Sequence, residues 1–299
     1  MMRVLRLALL ALFSLLGSAH VHAQEKLNVV VSFSILGDLV KSVGGDQVNV
    51  TTLVGPGGDA HVYTPTPADA KRVSEAKLVV INGLGFEGWL PRLIKASGGK
   101  PAIVTASTGI KPRKLEDNHG HSHGDADPHA WQSVINVRAY VTNIRDALIA
   151  ADASGVSAYL TNADAYLAEL DTLDREVRAA VAKLPAERRK VISTHDAFGY
   201  FAQAYGITFI APQGVSTESE ASARDIATII RQIKAQKIPA VFLENVADPR
   251  LMRRIASETG AAIGGTLYSD SLTDEKGDAP TYIGMVRHNI KALTSALTN

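Results

Sequence analysis

The chain has 299 residues, no cysteine, and 31 basic against 30 acidic side chains, a formal net charge of +1. So even a balance argues against a nucleic-acid or anionic-membrane partner, and the lack of cysteine excludes both a disulfide framework and a thiolate metal cluster. What remains is a chain held by apolar packing and long enough to be expected as more than one unit.

The first element is one the working protein is expected to lack. Arg3 and Arg6 flank the start of an apolar run, Leu5 to Leu16, which ends at the small-residue site Val21-His22-Ala23, the pattern of a cleaved secretory signal. About 12 apolar residues fall short of the roughly 20 that span a bilayer, so residues 1–23 are expected to be removed, taking His20 and His22 with them. With Arg3 and Arg6 gone, 29 basic residues face 30 acidic ones. No membrane anchor is expected, since there is no cysteine to carry a lipid, and the export signal points to the periplasm.

Apolar runs rich in Val and Ile then alternate with amphipathic segments. Strands are predicted at Leu27 to Val31, Val48 to Val54, Leu78 to Asn82 and Ala102 to Thr105, then at Lys190 to Ser193, Ile207 to Ala211, Ala240 to Leu243 and Ala262 to Leu267. Helices are predicted at Ile35 to Val43, Pro67 to Ala76, Ala223 to Lys237 and Pro249 to Glu258, with a terminal one over Thr281 to Leu297. Continuously apolar strands, each followed by a helix, imply parallel sheets covered on both faces. Between the two groups of four strands, Leu160, Ala163, Leu167, Leu170, Leu173, Val177, Val181 and Leu184 recur at three and four residues, the stripe of one long helix closed by Pro185. At about 28 residues it would be roughly 42 Å long. The expected organisation is a signal over 1–23, an α/β lobe over 24–153, a rigid linker helix over 154–185 and a second α/β lobe over 186–299.

Three histidines stand alone in shaped local sequences: His61 after Gly58-Asp59-Ala60, His129 after Asp127-Pro128, and His195 after Ser193-Thr194; Asp270 follows in Tyr268-Ser269-Asp270-Ser271. Each lies beyond the end of a predicted strand or in a loop before a helix, where open α/β sheets present their ligands, so two would come from each lobe to one inter-lobe cleft. Three neutral imidazoles and one carboxylate suit a divalent ion of borderline softness, zinc first. Any one such histidine is more often an ordinary satisfied side chain, and it is the ordered set that points to a metal.

The same residues carry a family resemblance. Pro56-Gly57-Gly58-Asp59-Ala60-His61, Asn82-Gly83-Leu84-Gly85, Asp127-Pro128-His129-Ala130-Trp131, Thr194-His195-Asp196-Ala197-Phe198-Gly199-Tyr200 and Tyr268-Ser269-Asp270-Ser271-Leu272 resemble, in order, the metal-specific solute-binding proteins of bacterial ABC importers, the zinc and manganese type often called TroA-like. Ala60 and Ala221 stand where that family usually has proline. The resemblance implies two four-stranded parallel α/β lobes joined by a backbone helix, one metal ligated by His61, His129, His195 and Asp270, and delivery of that metal to a membrane permease. It also implies histidine at position 195 in zinc-type members and glutamate in many manganese and iron members, so Zn2+ is the expected cargo and Mn2+ the alternative. A monomer is expected, with a periplasmic metallochaperone as a possible loading partner.

The cluster His119, His121 and His123, spaced by Gly120 and Ser122, reads as a weak auxiliary chelating tract, and zinc-type relatives often carry a longer His-rich loop there. Glu244, Asp59, Asp127 and Asp196 are candidates to orient the ligands, Trp131, Phe198 and Tyr200 to pack around them, and His288 to lie on the surface. An enzyme is not expected: four protein ligands close a tetrahedral shell where a zinc hydrolase keeps one position open, and neither His-Glu-x-x-His nor Gly-x-Ser-x-Gly occurs. A surface adhesin of the same fold would need a lipid-bearing cysteine. Deprotonation of three ordinary imidazoles predicts metal affinity falling below roughly pH 6.5, and metal is expected to order the loops bearing His195 and Asp270 while the linker helix keeps the overall change small.

Overall fold

The computed structural model describes residues 25–115 and 126–298. The first sheet is built from β1 (Leu27–Phe33), β2 (Val48–Val54), β3 (Leu78–Ile81) and β4 (Ala102–Thr105), all parallel in the order β2-β1-β3-β4. A second sheet repeats that plan with β5 (Lys190–Ile192), β6 (Thr208–Ile210), β7 (Ala240–Glu244) and β8 (Ala262–Leu267), in the order β6-β5-β7-β8. Parallel neighbours need crossovers, here supplied by α1 (Ser34–Gly44), α2 (Pro67–Glu75) and α3 (Leu90–Ser97) in the first half, and by α6 (Gly199–Tyr205), α7 (Ala223–Gln236) and α8 (Pro249–Thr259) in the second. The expected α/β class is therefore what forms.

Local chemistry sets several of these boundaries. Thr66 caps α2 through a reciprocal capping box with Asp69, with Pro67 in the first turn, satisfying two amide groups that a helix start otherwise leaves bare. Ser222 and Asp225 repeat the device at α7. Gly206 and Gly260 end α6 and α8 in the left-handed conformation, which glycine adopts without a Cβ clash. The short α3 and α6 were not legible as helices, because eight and seven residues leave too few turns to show a period.

Between the sheets run α4 (Val134–Ala151) and the 27-residue α5 (Val156–Ala182), followed at the chain's end by α9 (Tyr282–Thr298). At 1.5 Å per residue α5 is about 40 Å long, and it packs against α1 and α4 on one side and α9 and α6 on the other. Its buried face is Tyr159, Ala163, Tyr166, Leu170, Leu173, Asp174, Val177 and Val181. Leu160, assigned to that face from spacing, is 41% exposed; Tyr159, one helical turn before Ala163, takes the inner position, and its hydroxyl is satisfied by Asp152 Oδ2 at 2.7 Å. One apolar core continues from Leu27 through α5 to Leu297, and a smaller cluster of Ile192, Ile229, Ile233, Val241, Met252 and Ile255 lies under α7 and α8. Each fully buried Leu, Ile or Val contributes about 1.5–3 kcal/mol, so the continuous core binds the two sheets into one body through α5.

Candidate metal centre

The loops that follow the strands converge on one point. His61 follows β2, His129 follows β4, His195 follows β5 and Asp270 follows β8, and one donor atom from each lies within 4.8 Å of all the others. Asp270 Oδ2 is 3.1 Å from His195 Nε2 and 3.2 Å from His61 Nε2. Its other oxygen, Oδ1, is 3.6 Å from His129 Nε2, and the His61 and His129 Nε2 atoms are 3.2 Å apart. His129, His195 and Asp270 are fully buried.

Each ligand loop has an identifiable reason for its course. After β2 the chain turns through Gly57, whose φ of 73° suits glycine, and Asp59 Oδ1 accepts the His61 backbone amide at 2.9 Å. Asn82 Nδ2 donates to the Pro128 carbonyl just before His129. Asn82 is itself held by Tyr140 Oη, and its backbone amide donates to the buried Glu87, which also accepts from Ser32 Oγ and Gly83 N. Burial pushes the Glu87 carboxyl up despite those donors. On the C-terminal side, Glu244 Oε1 accepts the amides of Thr194 and His195 at 2.7 and 3.1 Å.

Two carboxylates fix which ring nitrogen faces the centre. His129 Nδ1 donates to Asp127 Oδ1 at 2.8 Å, leaving its Nε2 lone pair turned inward, as a metal-ligating imidazole requires. Glu244 Oε2 stands 2.6 Å from His195 Nδ1, a close charge contact rather than a well-aligned hydrogen bond. Without a cation this arrangement is costly, since burial opposes charge and like donors face one another. Protons then stand in for the ion. Burial works against charging His129, but Asp270 and Asp127 outweigh it and raise its pKa to about 9. Burial likewise opposes His195, which Glu244 and Asp270 hold well above the ordinary imidazole value. Asp270 is pulled well below the carboxylate range by His195 and His129, against burial, whereas burial prevails at His61 and lowers it.

The donor set fits a divalent cation. Asp270 Oδ1 is buried without a hydrogen-bond donor, an orphan of the kind an ion resolves. For zinc bonds of about 2.0–2.1 Å the edge of a tetrahedron is about 3.3–3.4 Å, close to the 3.1, 3.2 and 3.6 Å contacts. The widest separation of 4.8 Å exceeds that edge, so closing four donors on one zinc ion needs a small inward movement.

Aromatic side chains dry the site. Phe86, which sequence reasoning passed over, lies 4.7 Å from the His61 ring and 6.1 Å from the His129 ring, and Trp131 lies 5.2 Å from His129. Phe198 stacks on Phe209 instead of reaching the ligands. Asp196 pairs with Arg113 rather than with a ligand ring. His288 is partly buried, with Nε2 3.0 Å from the Thr266 carbonyl, and is not the free surface side chain expected. The chelating cluster His119, His121 and His123 and the signal over 1–23 lie outside the described residues.

Residues 29–296 match the family described as zinc-uptake complex component A, periplasmic. The chain belongs to this family. It is thus a metal-binding substrate-binding protein of the ABC-importer type, and such a component works with a membrane permease. Manganese-binding lipoprotein MntA of Halalkalibacterium halodurans is 35% identical over 92% of this chain and 89% of its own length. Iron-binding protein YfeA of Yersinia pestis is 34% identical over 90% and 86%. Among solved structures, periplasmic zinc-binding protein TroA from Treponema pallidum has a TM-score of 0.85 at 33% identity, covering 91% of this chain and 99% of that one. A Mn-bound periplasmic metal-binding protein from Candidatus Liberibacter asiaticus has a TM-score of 0.80 at 31% identity, covering 91% and 100%. Relatives are named for three different metals, so membership alone does not select among them.

Proposed function

We propose that the protein captures Zn2+ in the periplasm, ligated by His61, His129, His195 and Asp270, and delivers it to an ABC transporter permease. The observation that carries this reading is the convergence of three imidazole Nε2 atoms and one carboxylate in a buried site. Imidazole-rich sets favour zinc over manganese by ligand type and by the Irving–Williams order. Capture rather than turnover follows from the closed donor set, because a hydrolytic zinc keeps a position for water. The sequence has no cysteine, which supports a free rather than lipid-anchored protein, and among the described residues no helix is long and apolar enough to cross a membrane.

Manganese is the second reading, favoured by one feature of the site. Both oxygens of Asp270 are turned toward the histidines, a pose that can supply two donors and raise the coordination number above the four that zinc prefers. Elemental analysis of the purified protein, followed by zinc against manganese competition at fixed pH, tests the choice. Zinc is expected to displace manganese, and His195→Glu to move the preference toward manganese by at least tenfold, since carboxylate is the harder ligand. Retention of manganese against equimolar zinc by the unaltered protein would overturn the zinc assignment.

A further inference from the structure

One side chain joins the supports of two of these histidines from opposite lobes. Arg113, in the loop after β4, donates from Nε to Asp127 Oδ2 at 2.8 Å, and Asp127 in turn holds the His129 ring and backbone amide. The same guanidinium donates from Nη2 to Asp196 Oδ2 at 3.3 Å and Oδ1 at 3.5 Å. Asp196 is the residue next to His195, and its amide is fixed to the Gly214 carbonyl. Tyr200 repeats the bridge beside it. Its hydroxyl donates to the Asp127 carbonyl and accepts from the Arg113 amide, at 3.0 and 2.9 Å.

The seat of the guanidinium is shaped to receive it. A Cβ on Gly199 would come within 2.2 Å of Arg113 Cζ, Nε and Nη2. Gly199 does not have a positive φ, so backbone freedom does not call for glycine at this helix start, whereas space does. Arginine presents its donors in a rigid planar fork, which lets one side chain hold two carboxylates at once.

We propose that Arg113 is a positioning residue for metal retention: it bolts the Asp127–His129 arm to the Asp196–His195 arm and so slows escape of the ion. This rests on the metal-binding reading above. One branch of the clamp is dry and the other wet, since Asp127 is fully buried while the Asp196 side chain is 42% exposed. The wet branch is open to screening by salt.

The test is a chelator chase on the metal-loaded full chain, with association rates and metal-free melting measured in parallel. Arg113→Ala is expected to speed metal dissociation by about tenfold or more, the range for groups that support ligands, with the association rate little changed. Asp196→Asn is expected to reproduce most of the effect, Gly199→Ala to give an intermediate one by displacing the guanidinium, and Arg113→Lys to restore only part. The Arg113→Ala and Asp196→Asn pair should be non-additive, as partners in one interaction are. Raising ionic strength should speed release from the unaltered protein more than from Asp196→Asn. If Arg113→Ala does not fold, Asp196→Asn and Gly199→Ala carry the test. Unchanged release rates with lowered metal-free melting would make Arg113 a fold-stabilising residue and overturn the proposal alone. Failure of the unaltered protein to take up any divalent ion would overturn the metal-binding reading and the clamp with it.

Discussion

The loops bearing Asp270 and His195 both belong by chain order to the second half, yet they are held in different ways. The Ser269 carbonyl accepts from Trp131 Nε1 and Gln132 Nε2, the Leu272 amide donates to Ser34 Oγ, and the Leu272 carbonyl accepts from Gly57 N. All four partners lie in the first lobe. Second-half residues hold the same segment, with Asn245 Nδ2 donating to the Ser271 carbonyl at 3.0 Å and Asn289 pairing with the Tyr268 amide and carbonyl, so Asp270 is tied to both halves. His195 is fixed instead to its own sheet, through Glu244 and the Gly214 segment, and reaches the first lobe through the polar bridges of Arg113 and Tyr200. Two of the four candidate donors come from each half of the chain, and the Asp270 segment is hydrogen-bonded directly to both halves. From this difference we expect metal arrival to act more on the His195 loop than on the Asp270 loop.

The sharpest way to test this difference is to remove one candidate donor from each loop. At a metal concentration of 100 times its Kd, the unaltered protein should gain about 2.7 kcal/mol of stability. Asp270→Ala is expected to lose that gain entirely, since it removes the one carboxylate of the set, while His195→Ala keeps a measurable part of it. Thermal melting with and without zinc reads both variants, and equal loss would show that the four ligands act as one unit.

A smaller effect is expected from the groups behind the histidines. Glu244→Gln and Asp127→Asn should each weaken binding by about 10–100-fold. Glu244 stands behind His195, and Glu244→Gln is expected to act mainly on release, Asp127→Asn on both rates. Stopped-flow binding separates these, and identical rate signatures for the two variants would erase the distinction between the arms.

A pH dependence is also expected, and its sign comes from His129. Its pKa is raised from the ordinary 6.5 to about 9 in the metal-free site. This contributes stability to the metal-free protein that is complete below about pH 6.5 and is lost as pH rises through about 9. Metal must displace that proton, so the melting gap between loaded and metal-free protein should widen over the same interval. Ordinary imidazoles would place the change below roughly pH 6.5; the buried acids move it upward. A gap that stays constant from about pH 6.5 to 9 would show that His129 is already neutral.

Much of this was legible in the chain because the signals were local. Val48–Val54, Ala102–Thr105 and Ala262–Leu267 form strands at the positions read from their apolar runs, and the motifs around His61, His129, His195 and Asp270 marked the residues that converge. Asp127 and Glu244 were suspected from position alone, and the structure puts each against a ring nitrogen. What escaped was long-range. Arg113 lies 83 residues from Asp196, and nothing near either predicts the pairing. Phe86 sits in an unremarkable loop until β1, β3 and the His61 loop bring it over two imidazoles. The Ser34 and Trp131 contacts that tie the Asp270 segment to the first half span 238 and 138 residues. Helical period placed α5 and most of its inner face, Ala163, Leu170, Leu173, Val177 and Val181 among it, and missed at Leu160, beside which Tyr159 is the buried residue.

The length of α5 has a practical consequence for anyone wishing to turn this protein into an optical reporter. A 27-residue helix packed against both halves along its course offers no joint at which the halves could swing widely, so dyes placed on the two outer tips would register almost the same spacing, loaded or empty. Useful contrast has to be sought near position 195, with a probe that answers to local polarity rather than to distance.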